Sequence, residues 1–486
     1  MSDLTNMANI VNILKYLEDK NLKIFFSGIG GVSMSAIAAA LKQKGYNVCG
    51  SNLEENEAVK KLRNMGIKVF ISHKSENVGG DCDLLVYMAR IKEDNPEIIR
   101  AKDLNIPIIK RAEMLGALMS GYKTSVGISG THGKSSVTSM TSEIFMQAKT
   151  DPTFFIGAVY PPVNSAYQTG KEDYFILECD EFSNSFLNFY PNISVIVNIE
   201  MDHPDFFKDL DDVISSFKGF LANTSDTAII NGDDENAIGA AKNFKGEIIT
   251  YSLKDEKADI FVKNIDYPDG FPEFDIFAKG EFGGSGGRLK TAAPTTDKIY
   301  AHVKLLVPGE FNIYNAAAAA SAAYKCGING KFVEAGLNIF KGAGRRFEYK
   351  GTLNGAKVYD DYAHHPTEVK KALIEMTKIA RAANGTLWYV FQPHTYSRTY
   401  ELLDDLCRAL SYADKLILTE IYSATEKNIY NISSKDIAER WEPVGNCIFI
   451  EKFEEIAEYL KERVAENDLV VIAGAGDIDN LTKMIV

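Results

Sequence analysis

The chain has 486 residues, and at roughly 150 residues per domain this length predicts about three domains rather than one hydrophobic core. Its hydrophobic content of 45% and charged content of 24% are those of an ordinary globular protein. The formal net charge of -13 argues against a general nucleic-acid or membrane-surface binder, because both partners require a basic face. Small anionic ligands remain possible, since a few local basic side chains and helix N-termini can bind them.

The first 41 residues predict neither a secretory signal nor a membrane span. Residues 1–20 carry scattered charges and no apolar core, so we expect no cleaved signal. The uncharged stretch 24–41 is about long enough to cross a bilayer, but its glycine, serine and alanine content favours a strand, a turn and a small-residue helix. The six cysteines lie far apart with no CxxC pair, which disfavours disulfides and a thiolate zinc site. We therefore expect a protein of the reducing cytoplasm without nucleic-acid or membrane partners.

Strand-like and helix-like segments alternate along the whole chain, which is typical of α/β layers built on parallel sheets. Each strand-like segment ends in a turn or a polar residue, and ligands of open parallel sheets bind at that carboxyl end. The predicted fold class is α/β with three domains, and the predicted domains are residues 1–121, 122–341 and 342–486. The glycine-rich stretch 281–296 is predicted to be an exposed hairpin loop.

The segment 23–51 reads as a strand, a glycine turn, a helix and a second strand. Gly28, Gly30 and Gly31 let backbone amides and the helix N-terminus face an anion. The dinucleotide-binding pattern has a third glycine where this chain has Ser33. It also has an acidic residue at the end of the second strand, where this chain has Ser51 and Asn52. The pattern disfavours a nicotinamide cofactor and allows another nucleotide diphosphate, with a tightly packed glycine turn as the alternative.

The segment SVGISGTHGKSSVTSM predicts a second phosphate loop between a strand and a helix. Lys134 can reach the β- and γ-phosphates, Ser135 can hold Mg²⁺, and the amides of residues 130–134 can surround the phosphate chain. The match to a P-loop is partial, because Ile128 stands where the strict pattern has its first glycine. The segment predicts nucleotide binding.

Acidic residues follow two further strands. Glu178, Asp180 and Glu181 come after YFIL, and a second group comes after ISVIVN, namely Glu200, Asp202 and His203. Because Mg²⁺ prefers oxygen ligands together with phosphate oxygens, these strand ends predict a metal site opposite the phosphate loop. The alternative is that the acids are solvated or cap the following helices.

Several histidines and arginines also lie in segments that are predicted to bind ligands. The segment DDYAHHP places His364 and His365 beside two aspartates, and such a group can contact both ATP and a substrate. Guanidinium groups bind phosphate or carboxylate through two hydrogen bonds and neutralise charge that develops in phosphoryl transfer. The candidates for this task are Arg345, Arg346 and Arg398, with surface ion pairs as the alternative.

Eight ordered segments between residues 28 and 478 together resemble the Mur ligase family. They are GTHGKSS, ECDEFSNSFL, NIEMDHPDFF, PGEFNIYNAAAA, GAGRRFE, DDYAHHPTEV, FQPHTYSRT and GAGDI. The resemblance implies a Rossmann-like N-terminal domain for a UDP-sugar, a central P-loop ATPase domain with a mostly parallel sheet, and a Rossmann-like C-terminal domain that closes over ATP. It implies that ATP converts a carboxylate to an acyl phosphate, which an amine then attacks. The implied substrates are UDP-N-acetylmuramate and L-alanine, and the implied cofactors are ATP and Mg²⁺.

The resemblance also assigns roles to individual positions. It implies a catalytic set of Lys134, Glu178, His203, Arg346, His365 and Arg398. The implied ATP-binding residues are Gly130, Thr131, His132, Gly133, Lys134, Ser135, Ser136, Asn312, Arg346 and Asp361. The implied metal ligands are Ser135, Glu178 and His203. For the UDP-sugar we expect Gly28, Gly30, Gly31, Val32, Ser33, Ser51 and His73.

Some positions depart from the family pattern, and some alternatives stay open. Thr395 stands where many members have an arginine, which puts one anion contact in doubt. One alternative is a ligase of the same family that recycles a preformed murein peptide. Another is a binding module that hydrolyses ATP without joining anything. We expect a monomer or a weak homodimer.

Overall fold

The structure is a computed structural model that describes residue 13 and residues 17–88, 91–171, 173–203, 206–279, 298–424, 426–441 and 446–486. The stretch 281–296, predicted to be a hairpin loop, lies outside the described residues. Within the described ranges, every helix is too short or too polar to cross a membrane.

The first sheet is entirely parallel and has the strand order β3-β2-β1-β4-β5. Its strands are β1 (Lys23–Ser27), β2 (Asn47–Asn52), β3 (Lys68–Ile71), β4 (Leu84–Tyr87) and β5 (Ile108–Lys110). The helices that connect or follow them are α1 (Val32–Gln43), α2 (Glu57–Asn64), α3 (Pro96–Asp103) and α4 (Arg111–Ser120). The strand order reverses beside β1, and ligands of doubly wound folds bind at such a reversal.

The second sheet carries the order β15-β14-β13-β12-β11-β10-β6-β9-β7-β8 and is parallel from β13 to β7. Its strands are β6 (Thr124–Ser129), β7 (Thr153–Tyr160), β8 (Ser165–Gln168), β9 (Tyr174–Glu178), β10 (Ile193–Ile196), β11 (Thr227–Asn231), β12 (Glu247–Ser252), β13 (Ile260–Asp266), β14 (Glu273–Ala278) and β15 (Lys298–Lys304). Its helices are α5 (Lys134–Gln147), α6 (Leu210–Ala222), α7 (Glu235–Ala241), α8 (Glu310–Lys325) and α9 (Gly330–Ile339).

The third sheet has the order β16-β17-β21-β18-β19-β20, and only the β16–β17 pair is antiparallel among its described strands. The strands are β16 (Glu348–Leu353), β17 (Ala356–Asp361), β18 (Leu387–Phe391), β19 (Lys415–Leu418), β20 (Cys447–Phe449) and β21 (Leu469–Ala473). The helices are α10 (Pro366–Ala382), α11 (Tyr396–Glu401), α12 (Leu403–Leu410), α13 (Ser434–Arg440), α14 (Phe453–Arg463) and α15 (Asp479–Ile485).

Continuous apolar runs explain why the central strands are parallel. All five residues of β18 and all five of β21 are buried, as expected for strands covered by helices on both faces. On the second sheet, α8 packs against α5, and its alanines from residue 316 to 320 lie at 0% exposure, so this helix is buried on all sides. The predicted α/β class with three units is confirmed.

The domain boundaries at residues 121 and 341 stay a prediction. Each of the three sheets lies within one of the predicted domain ranges.

The strand order of the second sheet determines where the candidate site forms. Because β6 lies between β10 and β9, the loops that follow these three strands meet at one edge of the sheet. The phosphate loop follows β6, the first acidic segment follows β9, and the second follows β10. The third unit contributes α10 to the same edge, as the contacts described below show.

Candidate active site

The loop between β6 and α5 has a backbone that requires glycine at two places. Gly130 has φ 152°, and a Cβ there would lie 3.0 Å from the Cβ of Val197. Gly133 has φ 85°, and a Cβ there would lie 2.6 Å from Asn315 Oδ1. Both the backbone angle and the crowding therefore exclude larger side chains. The loop leads directly into the N-terminus of α5, which is the usual position of an anion-binding loop.

Asn198, which sequence analysis did not single out, holds this loop in place. Its backbone oxygen accepts a hydrogen bond from Thr131 N at 3.0 Å, and its side chain bonds both His132 N and His132 O, at 2.8 and 3.0 Å. The Thr131 hydroxyl also contacts Glu200, accepting from its backbone N at 2.9 Å. The loop is thus anchored to the segment after β10.

Lys134 is held over the loop by a buried acid. Its Nζ donates to the carbonyl oxygens of Gly130 and Thr131 at 2.7 and 3.1 Å, and to both oxygens of Glu181 at 3.0 and 2.8 Å. Burial lowers the pKa of Lys134, but nearby carboxylates outweigh burial and raise it above its ordinary value. Burial raises the pKa of Glu181, which is 2% exposed, to about 7 despite the lysine. The ammonium therefore stays charged at the mouth of the phosphate loop.

The predicted metal ligands fall into two neighbouring groups. Ser135 Oγ donates to Glu178 Oε1 at 2.9 Å, and Glu178 Oε2 accepts from Gly157 N. His203 belongs to the other group, in which its ligand atom and those of Asp180 and Glu181 all lie within 4.8 Å of one another. Carboxylate and hydroxyl oxygens are the ligands that Mg²⁺ prefers, so Ser135 with Glu178 and the two carboxylates of the second group fit Mg²⁺, whereas an imidazole such as that of His203 is a ligand more typical of softer metals.

A cavity of about 240 Å³ opens beside the phosphate loop, between the second and third sheets. From the second unit it is lined by Gly133, Ser135, Ser136 and Asn312 among others. Asn312 is 4% exposed, donates to Pro308 O at 2.7 Å and accepts from Asn315 at 3.0 Å, so this asparagine pair is fixed in position. From the third unit the cavity is lined by Arg346, Asp361 and Glu368.

His132 joins the phosphate loop to the third unit. Its Nδ1 lies 3.2 Å from Glu368 Oε1 on α10, and its Nε2 lies 3.5 Å from Glu200 Oε2. Burial lowers the pKa of His132, but the two carboxylates outweigh burial and raise it to about 9. The nearby imidazolium of His132 in turn lowers the pKa of Glu200 to about 2. At neutral pH the contact therefore consists of three charged groups, of which His132 and Glu368 are mostly buried and Glu200 is half-buried.

Arg346 and Asp361 lie on the third-unit side of the cavity. Arg346 Nη1 is 3.8 Å from Glu368 Oε1. Asp361 is 2% exposed, its Oδ2 has no hydrogen-bond partner among the described residues, and burial raises its pKa to about 7. Arg345 has a structural set of contacts instead, with Asp360 and with the carbonyl oxygens of Gly474 and Gly476.

His365 and Arg398 are the other two predicted site residues of the third unit. The His365 ring lies 5.1 Å from that of His132, and its Nδ1 accepts from Thr367 N at the start of α10. Arg398 Nη2 donates to Asp202 Oδ1 at 3.4 Å, and Nη1 lies 3.1 Å from His394 Nδ1. Its Nε is buried and has no partner in the described part of the chain. Arg398 therefore keeps one buried donor without a hydrogen bond to the described residues.

The predicted UDP-sugar residues gather on the first sheet, at the start of α1. The amides of Gly28 and Ile29 donate to Ser51 O, which ties the glycine turn to the end of β2. Gly30 N donates to Asn52 Oδ1 at 3.1 Å, and a Cβ on Gly30 would collide with that side chain. At the first position of α1, Val32 is 66% exposed. The turn thus presents a helix N-terminus to ligands.

Two residues near this turn were not predicted. Arg111, at the start of α4, donates to Ser33 Oγ at 2.9 Å. Its guanidinium is also close enough to Asp180 of the second unit to be attracted by that carboxylate. It therefore places a cation between the two candidate binding regions. Glu97 is buried against Ser51 and His73. Neither residue belongs to a recognisable segment, so only the folded arrangement identifies them.

Three family models match consecutive parts of the chain. The model described as Mur ligase family, catalytic domain matches residues 23–123, the Mur ligase middle domain matches 128–323, and the model described as Mur ligase, glutamate ligase domain matches 345–476.

Individual relatives agree with these models. The chain is 41% identical over 466 residues to a UDP-N-acetylmuramate–L-alanine ligase of Caldicellulosiruptor bescii, covering 95% of this chain and 98% of the relative. A solved UDP-N-acetylmuramate–alanine ligase from Thermotoga maritima superposes with TM-score 0.76 at 28% identity, over 96% of this chain and 98% of the other. A murein peptide ligase from Psychrobacter arcticus shares the fold with TM-score 0.67 at 21% identity, over 96% and 98% of the two chains. The chain belongs to the Mur ligase family.

Proposed function

We propose that this protein joins L-alanine to the carboxylate of UDP-N-acetylmuramate in an ATP-dependent reaction of peptidoglycan precursor synthesis, through an acyl phosphate. The relatives that cover nearly the whole chain carry this activity in their names. The supporting observation in the structure is the cavity beside the phosphate loop, because basic and acidic side chains of two units line it together. A ligase that uses ATP requires such an enclosed site.

The proposed nucleotide site lies in this cavity. The loop residues Gly130 to Ser136 surround the phosphates, and Lys134 contacts the terminal phosphates after exchanging its bonds to Glu181 for bonds to ATP. Asn312 contacts the base from the second unit. Arg346 and Asp361 contact ATP from the third unit, where both line the cavity.

Charge neutralisation is the main chemical task, because a carboxylate and a γ-phosphate repel each other. Lys134 and Arg346 lie on opposite units, so both can neutralise the reacting group only when the units are in contact. Arg398 and His365 lie beside Asp202 and His132, where they would orient the sugar carboxylate and the amino acid. Closure of the units also excludes water, which would hydrolyse the acyl phosphate.

Mg²⁺ is part of the proposal. Ser135 and Glu178 would hold one ion at the end of the phosphate chain, and His203 would contribute with Asp180 and Glu181. The ion would supply positive charge to the β- and γ-phosphate oxygens.

The UDP-sugar is proposed to bind to the first unit, at the glycine turn before α1. The helix N-terminus and Arg111 together supply the positive potential that a diphosphate requires. We propose residues 1–121, 122–341 and 342–486 as the corresponding domains, and the cytoplasm as the location, because the proposed substrates are cytoplasmic precursors.

The test is an ADP-release assay with UDP-N-acetylmuramate and Mg²⁺, scanned across free amino acids. We expect ADP and an amide product in equal amounts, with L-alanine as the best amino acid. A preference for a preformed murein tripeptide would assign the chain to recycling instead. ADP release that is indifferent to every amine, with no amide formed, would overturn the ligase proposal.

A further inference from the structure

Glu97 is a fully buried acid at the start of α3, with 0% of its surface exposed. Its carboxylate accepts hydrogen bonds from side chains at the carboxyl ends of three adjacent strands, with Ser27 in β1, Ser51 in β2 and His73 just after β3. Ser27 Oγ and Ser51 Oγ lie 2.6 and 2.7 Å from Oε2, and His73 Nδ1 lies 2.8 Å from the same oxygen. Asn77 donates to Oε1 at 2.8 Å. Such a dense set of donors is what an ionised carboxylate needs in order to be buried.

The charge state of Glu97 agrees with this geometry. Burial raises the pKa of the carboxyl, but the four hydrogen bonds outweigh burial and hold the pKa below its ordinary value. An ionised carboxylate only accepts hydrogen bonds. The hydroxyl groups of Ser27 and Ser51 therefore donate to it, and the Nδ1 of His73 carries a hydrogen.

The position of this network corresponds to a known role in dinucleotide-binding folds. There an acidic residue at the end of the second strand accepts a hydrogen bond from a ribose hydroxyl. This chain has Ser51 at that place, and Glu97 reaches Ser51 from α3, so the missing negative charge is supplied from behind the strand. Ser51 is itself buried, whereas His73, which lies 2.9 Å from Ser51 Oγ, keeps 12% of its side chain exposed.

The hydrogen on His73 Nδ1 determines what the ring offers to a ligand. In a neutral imidazole with a hydrogen on Nδ1, the other nitrogen is an acceptor. Nε2 of His73 has no hydrogen-bond partner among the residues that the structure describes. A ribose hydroxyl can donate to this atom, whereas a phosphate oxygen cannot.

We propose that Glu97 is a positioning residue of the nucleotide-sugar site, which fixes His73 in the tautomer whose Nε2 accepts a hydrogen bond from a ribose hydroxyl of the uridine diphosphate group. The identity of the nucleotide rests on the proposed function. The role of Glu97 rests on its four contacts and on the place of Ser51 at the end of β2.

The first test compares the binding of UDP, 2′-deoxy-UDP and 3′-deoxy-UDP by calorimetry. We expect the wild type to bind UDP about tenfold more tightly than at least one deoxy analogue, which is the usual effect of one lost hydrogen bond. In Glu97→Gln the amide can donate to Nδ1 and reverse the tautomer, so this ratio should fall below about twofold. The matched control is Glu93→Gln, since Glu93 is exposed and pairs only with Lys102 in the described region, and it should keep the wild-type ratio.

A second measurement needs no variant of Glu97 and therefore does not depend on its folding. Nitrogen-15 spectra of histidine-labelled wild-type protein report the tautomer of each ring, and His73→Gln identifies the signal of His73. We expect the hydrogen on Nδ1. A hydrogen on Nε2 of the neutral ring would overturn the inference. The same holds if the wild type shows no preference for UDP over the deoxy analogues, or if a folded Glu97→Gln protein keeps the full preference.

The outcomes separate this inference from the proposed function. A wild type that forms the amide but fails the tautomer or deoxy tests removes only the role of Glu97. The wild type could also prefer UDP over its deoxy analogues and carry the hydrogen on His73 Nδ1, yet form no amide. That result would overturn the ligase reaction and support the role of Glu97. Failure of the folded wild type to bind UDP at all overturns both.

Discussion

His132 Nδ1 lies 3.2 Å from Glu368 Oε1, so the phosphate loop and the first turn of α10 are in direct contact across the cavity. Because this carboxylate also accepts from His364 N, at 3.2 Å, it fixes the start of α10 and the loop together. We expect Glu368→Gln, which keeps the shape and removes the charge, to lower kcat at least about tenfold by weakening the contact between the units. Steady-state ADP release measures this effect.

The control for this prediction is Lys378→Gln on the same helix. Lys378 pairs with Glu375, but 67% of its side chain is exposed, and exposed pairs contribute little. We expect wild-type kcat from this control. Equal kcat values for Glu368→Gln and the control would show that the contact does not affect turnover.

The same contact predicts a dependence of stability on alkaline pH. The pKa of His132 is raised to about 9 in the folded protein, compared with roughly 6.5 in an unfolded chain. A group whose pKa is raised on folding stabilises the protein fully below its unfolded pKa, and this contribution is lost as pH rises through the folded value. We expect the Tm of the wild type to fall more steeply between about pH 6.5 and 9 than that of His132→Gln. Parallel Tm curves for the two proteins would contradict the assignment.

Asp361 predicts a loss of stability with rising pH in a lower pH range, and here the loss has a different cause, the burial of a carboxylate. Burial raises its pKa to about 7, so the folded protein holds this proton more tightly than the unfolded chain does. Raising the pH from about 4 to about 7 therefore destabilises the folded state through this group. We expect Asp361→Asn to have a higher Tm than the wild type at pH 8 and a difference that shrinks toward pH 4. A lower Tm for the variant at pH 8 would show that a partner stabilises the carboxylate.

The sequence predicted those parts of the site that lie in continuous segments. Gly130, Gly133 and Lys134 follow one strand directly, so their spacing alone predicted the loop that the structure shows. The doubly wound α/β class followed similarly from the alternation of buried strands with helices. Arg346 was a candidate from its chemistry alone, whereas roles for Asn312 and Asp361 required the resemblance to a family, because both lie far along the chain from the phosphate loop.

Residues that act from behind a loop or strand were not predictable in this way. Glu368 lies within the segment DDYAHHPTEV, but its contact with His132 spans 236 positions of the chain. Asn198, Arg111 and Glu97 are ordinary polar residues whose importance comes from the atoms they contact after folding. A sequence pattern cannot distinguish such residues from solvated ones until long-range packing places them.

Ser135 predicts the response to magnesium. Its hydroxyl is 2.9 Å from Glu178 Oε1, and we propose that both hold Mg²⁺. We expect Ser135→Ala to increase the Mg²⁺ concentration for half-maximal activity about tenfold or more, since one oxygen ligand is lost. Ser135→Thr keeps the hydroxyl and should retain the wild-type requirement. An unchanged Mg²⁺ titration in the alanine variant would exclude Ser135 as a ligand.

Lys134 gives the strongest prediction, because it combines the proposed chemistry with a buried ion pair. Lys134→Ala should lower turnover by about 100-fold or more, the usual effect of removing a preorganised group that neutralises charge. UDP binding should stay within about twofold of wild type, because the glycine turn before α1 lies on a different sheet.

The Lys134→Ala variant also leaves Glu181 buried without its lysine and should lose about 3–5 kcal/mol of stability. Adding Glu181→Gln should restore most of that stability and none of the turnover, whereas Lys123→Ala, at an exposed lysine, should change neither quantity. Turnover that recovers together with stability in the double variant would show that Lys134 is a structural residue and has no role in phosphoryl transfer.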